Sequence, residues 1–199
     1  LNPYNDMQLD ALRELANIAS GTAATSLSQM LGRAVDLNVP RALALQLAQA
    51  VDAVGDPGET VTGVALPLEG DLDGAVLLLI PPVGAAQLCQ MLGVEPGSEV
   101  ADSALGEIGN ILGASYLQAL GAMLGLDLLP CPPQVLTDLL GAIVSTVLAG
   151  TVGACDTAFV LDSELVVDGD SCAISFMLLP SDGNVTDLLA PLGLAETTA

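Results

Sequence analysis

Apolar residues at Leu9, Leu12, Ala16, Ala19, Ala23, Leu27 and Met30 recur every three or four positions. That period predicts an amphipathic helix over residues 5–31. Leu105, Leu112, Tyr116, Leu120 and Met123 repeat the pattern and predict a second long helix over 99–124. Gly32 and Gly125 stand where each helix should stop. The stretch after the first helix reads as a short strand over 34–39, closed by Pro40, and a helix over 42–54. A loop follows at 55–58, then an alternating strand over 60–68, a turn at 69–74 and a strand over 75–80. Pro81-Pro82 ends that strand, and 83–92 reads as a helix. The second half gives a strand over 126–131, a break at Pro132-Pro133 and a helix over 134–149. A strand within 153–165, a turn at 166–170, a strand over 171–179 and a last helix over 184–192 complete it.

The two halves thus share one order: helix, strand, helix, two-stranded hairpin, helix. The long helices superpose without a gap at an offset of 93 residues, through Ala11/Ala104, Leu12/Leu105, Glu14/Glu107, Asn17/Asn110, Ile18/Ile111, Leu27/Leu120, Met30/Met123, Leu31/Leu124 and Gly32/Gly125. We read residues 1–199 as one domain with internal repeats over about 5–98 and 99–195. The expected class is α+β with pseudo-two-fold symmetry. Six strands would form one largely antiparallel sheet, with the two long helices exposed on one face.

The repeat keeps two polar residues as faithfully as its leucines. Glu14 with Asn17, and Glu107 with Asn110, are spaced i, i+3, so each pair shares a helix face. That face lies opposite the apolar stripe and should meet solvent or a partner. Gly106, Gly109 and Gly113 surround the second pair, and each glycine inside a helix costs about 0.8–1.0 kcal/mol relative to Ala. Close approach of a partner would repay that cost; so would close packing on a neighbouring helix.

Composition removes much chemistry. The formal charge is −21, the only cations are Arg13, Arg33 and Arg41, and Lys and His are absent. No His excludes a Ser-His-Asp triad and an imidazole metal ligand. No Lys excludes a P-loop lysine and a Schiff base. Such acidity argues against nucleic acid and anionic membrane surfaces. It suits a partner with a basic patch, a salty cytoplasm or simple solubility. Cys89, Cys131, Cys155 and Cys172 are scattered and read as reduced, small hydrophobes of a cytoplasmic protein. The first residues lack the basic and apolar regions of a signal peptide. The uncharged stretch 139–155 reads as a buried helix running into a strand rather than a membrane span. Asp71, Asp73, Asp168 and Asp170 flank hairpin turns, where turn chemistry explains them.

A single E-x-x-N on a solvated helix is common. Two at corresponding places in a half-length repeat are specific, and the pattern resembles the signature helix of the CheC/CheX/FliY group of response-regulator phosphatases. The doubled arrangement is most similar to CheC-type chains. The resemblance implies hydrolysis of the aspartyl phosphate of a CheY-type chemotaxis response regulator. It assigns Asn17 and Asn110 to orienting the attacking water, and Glu14 and Glu107 to engaging the regulator's Lys. Asp10, Ser103, Gly21, Gly113 and Ala114 would support the face: the first two at the start of each motif, the others, with Ser20, by keeping it low. No metal or cofactor of its own is expected, because the regulator brings Mg²⁺. The alternative is a non-catalytic adaptor for a response regulator or for the receptor deamidase CheD. On the phosphatase expectation, Asn17→Ala and Asn110→Ala each remove one site.

Overall fold

A computed structural model describes residues 6–150 and 157–181. The expected helix over 184–192 and the start of the strand expected within 153–165 lie outside them. The chain runs α1 (Asp6–Leu31), β1 (Val35–Gln46), α2 (Leu47–Val54), β2 (Thr60–Gly70), β3 (Gly74–Ile80), α3 (Pro82–Leu92) and α4 (Glu99–Leu124). It continues through β4 (Leu128–Pro130), β5 (Gln134–Leu139), α5 (Leu140–Gly150), β6 (Thr157–Val167) and β7 (Asp170–Pro180).

Local signals set the helix ends. Ser98 caps α4, its hydroxyl accepting from the Ala101 N–H, and Glu99 and Asp102 occupy the positive first turn. Gly32 and Gly125 adopt φ 62° and 69° after the long helices, a conformation that costs residues with a Cβ. The β6–β7 hairpin turns on Asp168 and Gly169, both at positive φ, with Val167 paired to Asp170.

All described strand pairings are antiparallel, and the strands form one seven-stranded sheet in the order β1-β6-β7-β3-β2-β4, with β5 also beside β2. The expectation was six strands and two longer helices. The strand after α1 does not end at Pro40 but runs on to Gln46, so α2 is only eight residues long. Pro40 is tolerated because β1 is an edge strand and its register on β6 shifts between Asn38 and Arg41. Residues 134–139 are likewise strand β5, not the start of a helix, and α5 begins at Leu140. Cys131-Pro132-Pro133 separates β4 from β5, which raises the strand count to seven.

The order reads alike from both ends. Val35 of β1 pairs with Val167 of β6, and Leu128 of β4 pairs with Gly70 of β2. Each half's first strand therefore lies on the other half's hairpin, and β3 against β7 joins the two hairpins at the centre.

Both faces of the sheet are covered. Val64, Leu66, Leu68, Val76, Leu78 and Ile80 face the core under α1, α3 and α4. Val61, Ala65, Leu77 and Leu79 point the other way, onto α2 and α5 through Ala50, Leu140 and Ile143. Every residue of β3 is buried, as two-sided coverage requires, and its sequence is a continuous apolar run rather than an alternating one. None of the described helices is long and apolar enough to cross a membrane.

Cys89, Cys131 and Cys172 form no disulfide. Burial pushes the Cys172 thiol up to about 11, so the folded chain resists its ionisation. Below its ordinary value both states hold a neutral thiol. Above it only the unfolded chain gains by ionising, so stability falls as pH rises from about 9 to about 11. Urea midpoints measured from pH 8 to 10.5 should decline. Cys172→Ala should cost about 1 kcal/mol at pH 7 but flatten that decline.

Candidate functional site

α1 and α4 run antiparallel over the sheet. Ser20 of α1 lies beside Tyr116 of α4, while Leu12 of α1 shares the wall of a 40 Å³ apolar cavity with Leu120 of α4. Tyr116 is the fixed point of this crossing. Its hydroxyl is 3.1 Å from Ser20 Oγ and 3.3 Å from Ser163 Oγ of β6, and its ring meets Phe176 edge-on at 4.8 Å. Burial pushes its phenol upward. Tyr116 is thus a packing residue. The Glu–Asn pairs sit N-terminal to the crossing on each helix, so they diverge. At 1.5 Å per residue the two amides are separated by about 13 Å along the helix axes.

Glu14, Asn17 and Glu107 are exposed and Asn110 is half-buried, so neither pair is lost to the core. Their surroundings differ. Asn17 Oδ1 accepts a hydrogen bond from the Val39 N–H of β1 at 3.1 Å. The Asn110 side chain has no hydrogen-bond partner among the described residues. Next to Asn17, Ile18 is 63% exposed, whereas Ile111 beside Asn110 packs on the core. The repeat had paired these isoleucines as equivalents. Sequence reasoning missed both the Val39 amide and the exposure of Ile18. Offset comparison of the strands after each helix sets Val39 against Pro132, but nothing in it ties the Val39 N–H to Asn17.

Of the supporting residues, Asp10 is exposed and ion-paired to Arg13 at 3.0 Å. Ser103 is exposed, its hydroxyl donating to the Glu99 carbonyl one turn back. Gly21 is open, with nothing within 4 Å of where a Cβ would stand. Ala114 is half-buried. Gly113 does not keep an outer face low. It is buried, and a Cβ there would lie 3.1 Å from Leu66 of β2. Ser20 is also buried, donating to the Ala16 carbonyl.

Neither explanation for the glycine run holds: no partner's surface and no neighbouring helix explains it. A Cβ on Gly106 would meet Val135 of β5 at 3.2 Å, and one on Gly109 would meet Val64 of β2 at 2.5 Å. The glycines let α4 lie flat on its own sheet, which carries the Glu107–Asn110 pair close over β2 and β5.

All three arginines are paired with aspartates: Arg13 with Asp10, Arg33 with Asp168 and Arg41 with Asp162. No cluster of three or more Cys, Asp or Glu able to hold a metal occurs among the described residues. What the arrangement offers is a pair of outward carboxylate–amide couples on rigid helices. Each amide supplies a donor and an acceptor on a short stem, without basicity.

The family model described as CheC-like matches residues 7–43 and 100–136, two segments that contain the matched helices and are related by the same offset of 93. The chain is 35% identical over 172 residues to the CheY-P phosphatase CheC of Bacillus subtilis, covering 82% of each chain. It is 28% identical over 108 residues to the flagellar motor switch phosphatase FliY of the same organism, covering 54% of this chain and 28% of that one. Among solved structures, FliY of Thermotoga maritima superposes with a TM-score of 0.74 at 19% identity, covering 96% of this chain and 97% of that one. The FliM middle domain of H. pylori follows the same fold, with a TM-score of 0.65 at 10% identity over 94% of this chain and 99% of that one. With the identity to the Bacillus protein extending over most of both sequences, and the matched segments falling on the two helices that carry the Glu–Asn pairs, this chain belongs to the CheC-like family.

Proposed function

We infer that this protein is a phosphatase that hydrolyses the aspartyl phosphate of a CheY-type response regulator. The observation that carries this reading is the pair of Glu–Asn couples, both outside the buried core, in a chain 35% identical to a CheY-P phosphatase. The regulator presents an acyl phosphate already held against its own Mg²⁺ and Lys. What it lacks is a water in line with phosphorus, and such an attack depends mainly on positioning and electrostatics. An Asn amide oxygen accepts a hydrogen bond from that water and turns the water's lone pair toward phosphorus. The new P–O bond forms as the bond to the aspartyl oxygen breaks. The electron pair leaves with the regulator's carboxylate, and the water's proton goes to the released phosphate. Glu14 or Glu107, one helical turn before the amide, accepts from the regulator's Lys and sets the register. No metal or cofactor of this chain is needed for that step.

The test is phosphate release from a phosphorylated CheY-type regulator at substoichiometric amounts of this protein. Multiple turnovers support the reading. An unchanged or lengthened phosphate lifetime would instead identify an adaptor that binds a regulator or CheD. Glu14→Ala combined with Glu107→Ala should weaken regulator binding about tenfold, on the scale of one charge-assisted contact per site. Titration calorimetry with the regulator locked in its phosphorylated form would check this, and undiminished affinity would remove the carboxylates from the docking role.

A further inference from the structure

We propose that the two amide sites are unequal, with Asn110 carrying most of the turnover and the Val39 N–H restraining Asn17. The proposal rests on the phosphatase reading above and assigns different work to its two halves.

The asymmetry begins in the strands that follow each long helix. At the constant offset of 93, β1 (Val35–Gln46) corresponds to β4 and β5 together, which run from Leu128 to Leu139. Val39 then corresponds to Pro132, and Pro40 to Pro133. In the first half, the register shift of β1 on β6 leaves Val39 without a partner in the ladder. Its N–H donates to Asn17 Oδ1 at 3.1 Å instead. In the second half proline has no N–H to give, and the strand is interrupted there.

That one bond fixes the Asn17 amide. Only its oxygen can accept from a backbone N–H, so the oxygen faces β1 and the NH₂ faces outward. The group needed at the phosphate is the acceptor. A water that donates to an amide oxygen gains electron density on its own oxygen. A water that accepts from an amide N–H loses it. Asn17 therefore presents the wrong end of its amide, or shares its oxygen with β1. Asn110, half-buried and without a hydrogen-bonded partner among the described residues, can turn its oxygen to the water at no such cost.

The experiment compares single variants by phosphate release at saturating phosphorylated regulator, with folding checked by circular dichroism. Asn110→Ala should lower kcat about tenfold with KM held within about twofold. Asn17→Ala should lower kcat by only about a tenth, the share that Asn110→Ala leaves. Equal losses, or a larger loss from Asn17→Ala, overturn the inequality while leaving the phosphatase reading intact. If the double variant keeps full activity, the phosphatase mechanism itself fails. Val39→Pro, which copies the second half, should raise kcat about threefold in the Asn110→Ala background by freeing the first amide. A folded variant with no such gain overturns the restraint. Should Val39→Pro fail to fold, amide exchange decides: the Val39 N–H should be protected in the native protein and lose that protection in Asn17→Ala. An unprotected Val39 amide in the native protein would overturn the restraint equally.

Discussion

Replacing Asn17 and Asn110 together by Ala should reduce release of phosphate from a phosphorylated CheY-type regulator to the regulator's own spontaneous rate. The loss should be about 100-fold or more, the scale on which a single preorganised polar group acts in such sites. Stability should change little. Both amides lie outside the fully buried core, and among the described residues the only side-chain hydrogen bond forfeited is that from Val39, worth about 1 kcal/mol. A folded double variant that still turned over at the native rate would show that the water is positioned by something else. Because the carboxylates remain, binding to the regulator should persist. The double variant should therefore bind the phosphorylated regulator while leaving its phosphoryl group to decay at the spontaneous rate.

The second large effect concerns the floor beneath one of those amides. Gly109→Ala would place a Cβ 2.5 Å from Val64 Cγ1 and 2.7 Å from Val64 Cβ. Val64 is fully buried in a central strand and has no flexible end to swing aside. Overpacking of this kind costs about 1–3 kcal/mol, against about 1 kcal/mol gained in helix propensity. With the contact at 2.5 Å the cost lies at the upper end, so we expect a net loss of up to about 2 kcal/mol in urea denaturation. Turnover should also drop, because α4 must lift from the sheet at the residue next to Asn110. Gly21→Ala is the matched control. Its Cβ meets nothing within 4 Å, so that change should stabilise the protein by about 1 kcal/mol. If both substitutions stabilised the protein, close packing of α4 on β2 would not be the reason for its glycines.

Local signals sufficed for much of this. The period of Leu105, Leu112 and Leu120 marks α4, and Gly125 marks its end, from the sequence alone. Pro81-Pro82 marked the end of β3. The strands next to prolines were harder to read. Pro40 reads as a stop, yet an edge strand with a bulge carries it without loss, so β1 runs on to Gln46. Residues 134–139 hold Val135, Leu136 and Leu139 at spacings that suit a helix, but they pair with β2 instead. The repeat gave no warning, since these residues are 41–46 moved by the same offset and invite the same reading. Reading both segments as helix was one error made twice. The site shows a similar boundary. Glu14, Asn17, Glu107 and Asn110 were visible because the helix period and the repeat are local. The partner of Asn17 was not, because an N–H on a different element leaves no mark on the side-chain pattern. The reason for Gly109 lies in Val64, which is remote in the chain, and no count of helix propensities could supply it.

The interleaving of the sheet bears on how such a chain could have arisen. Since β1 completes the hairpin of β6 and β7, and β4 with β5 completes that of β2 and β3, a polypeptide of half this length would leave one hairpin bare and one strand homeless. Two such polypeptides could satisfy each other by exchanging their first strands, so an ancestral homodimer would already possess the whole architecture. Fusion of its genes would then have freed either copy to change independently, and the proline that stands where its twin keeps a valine is the kind of divergence only a fused pair can hold.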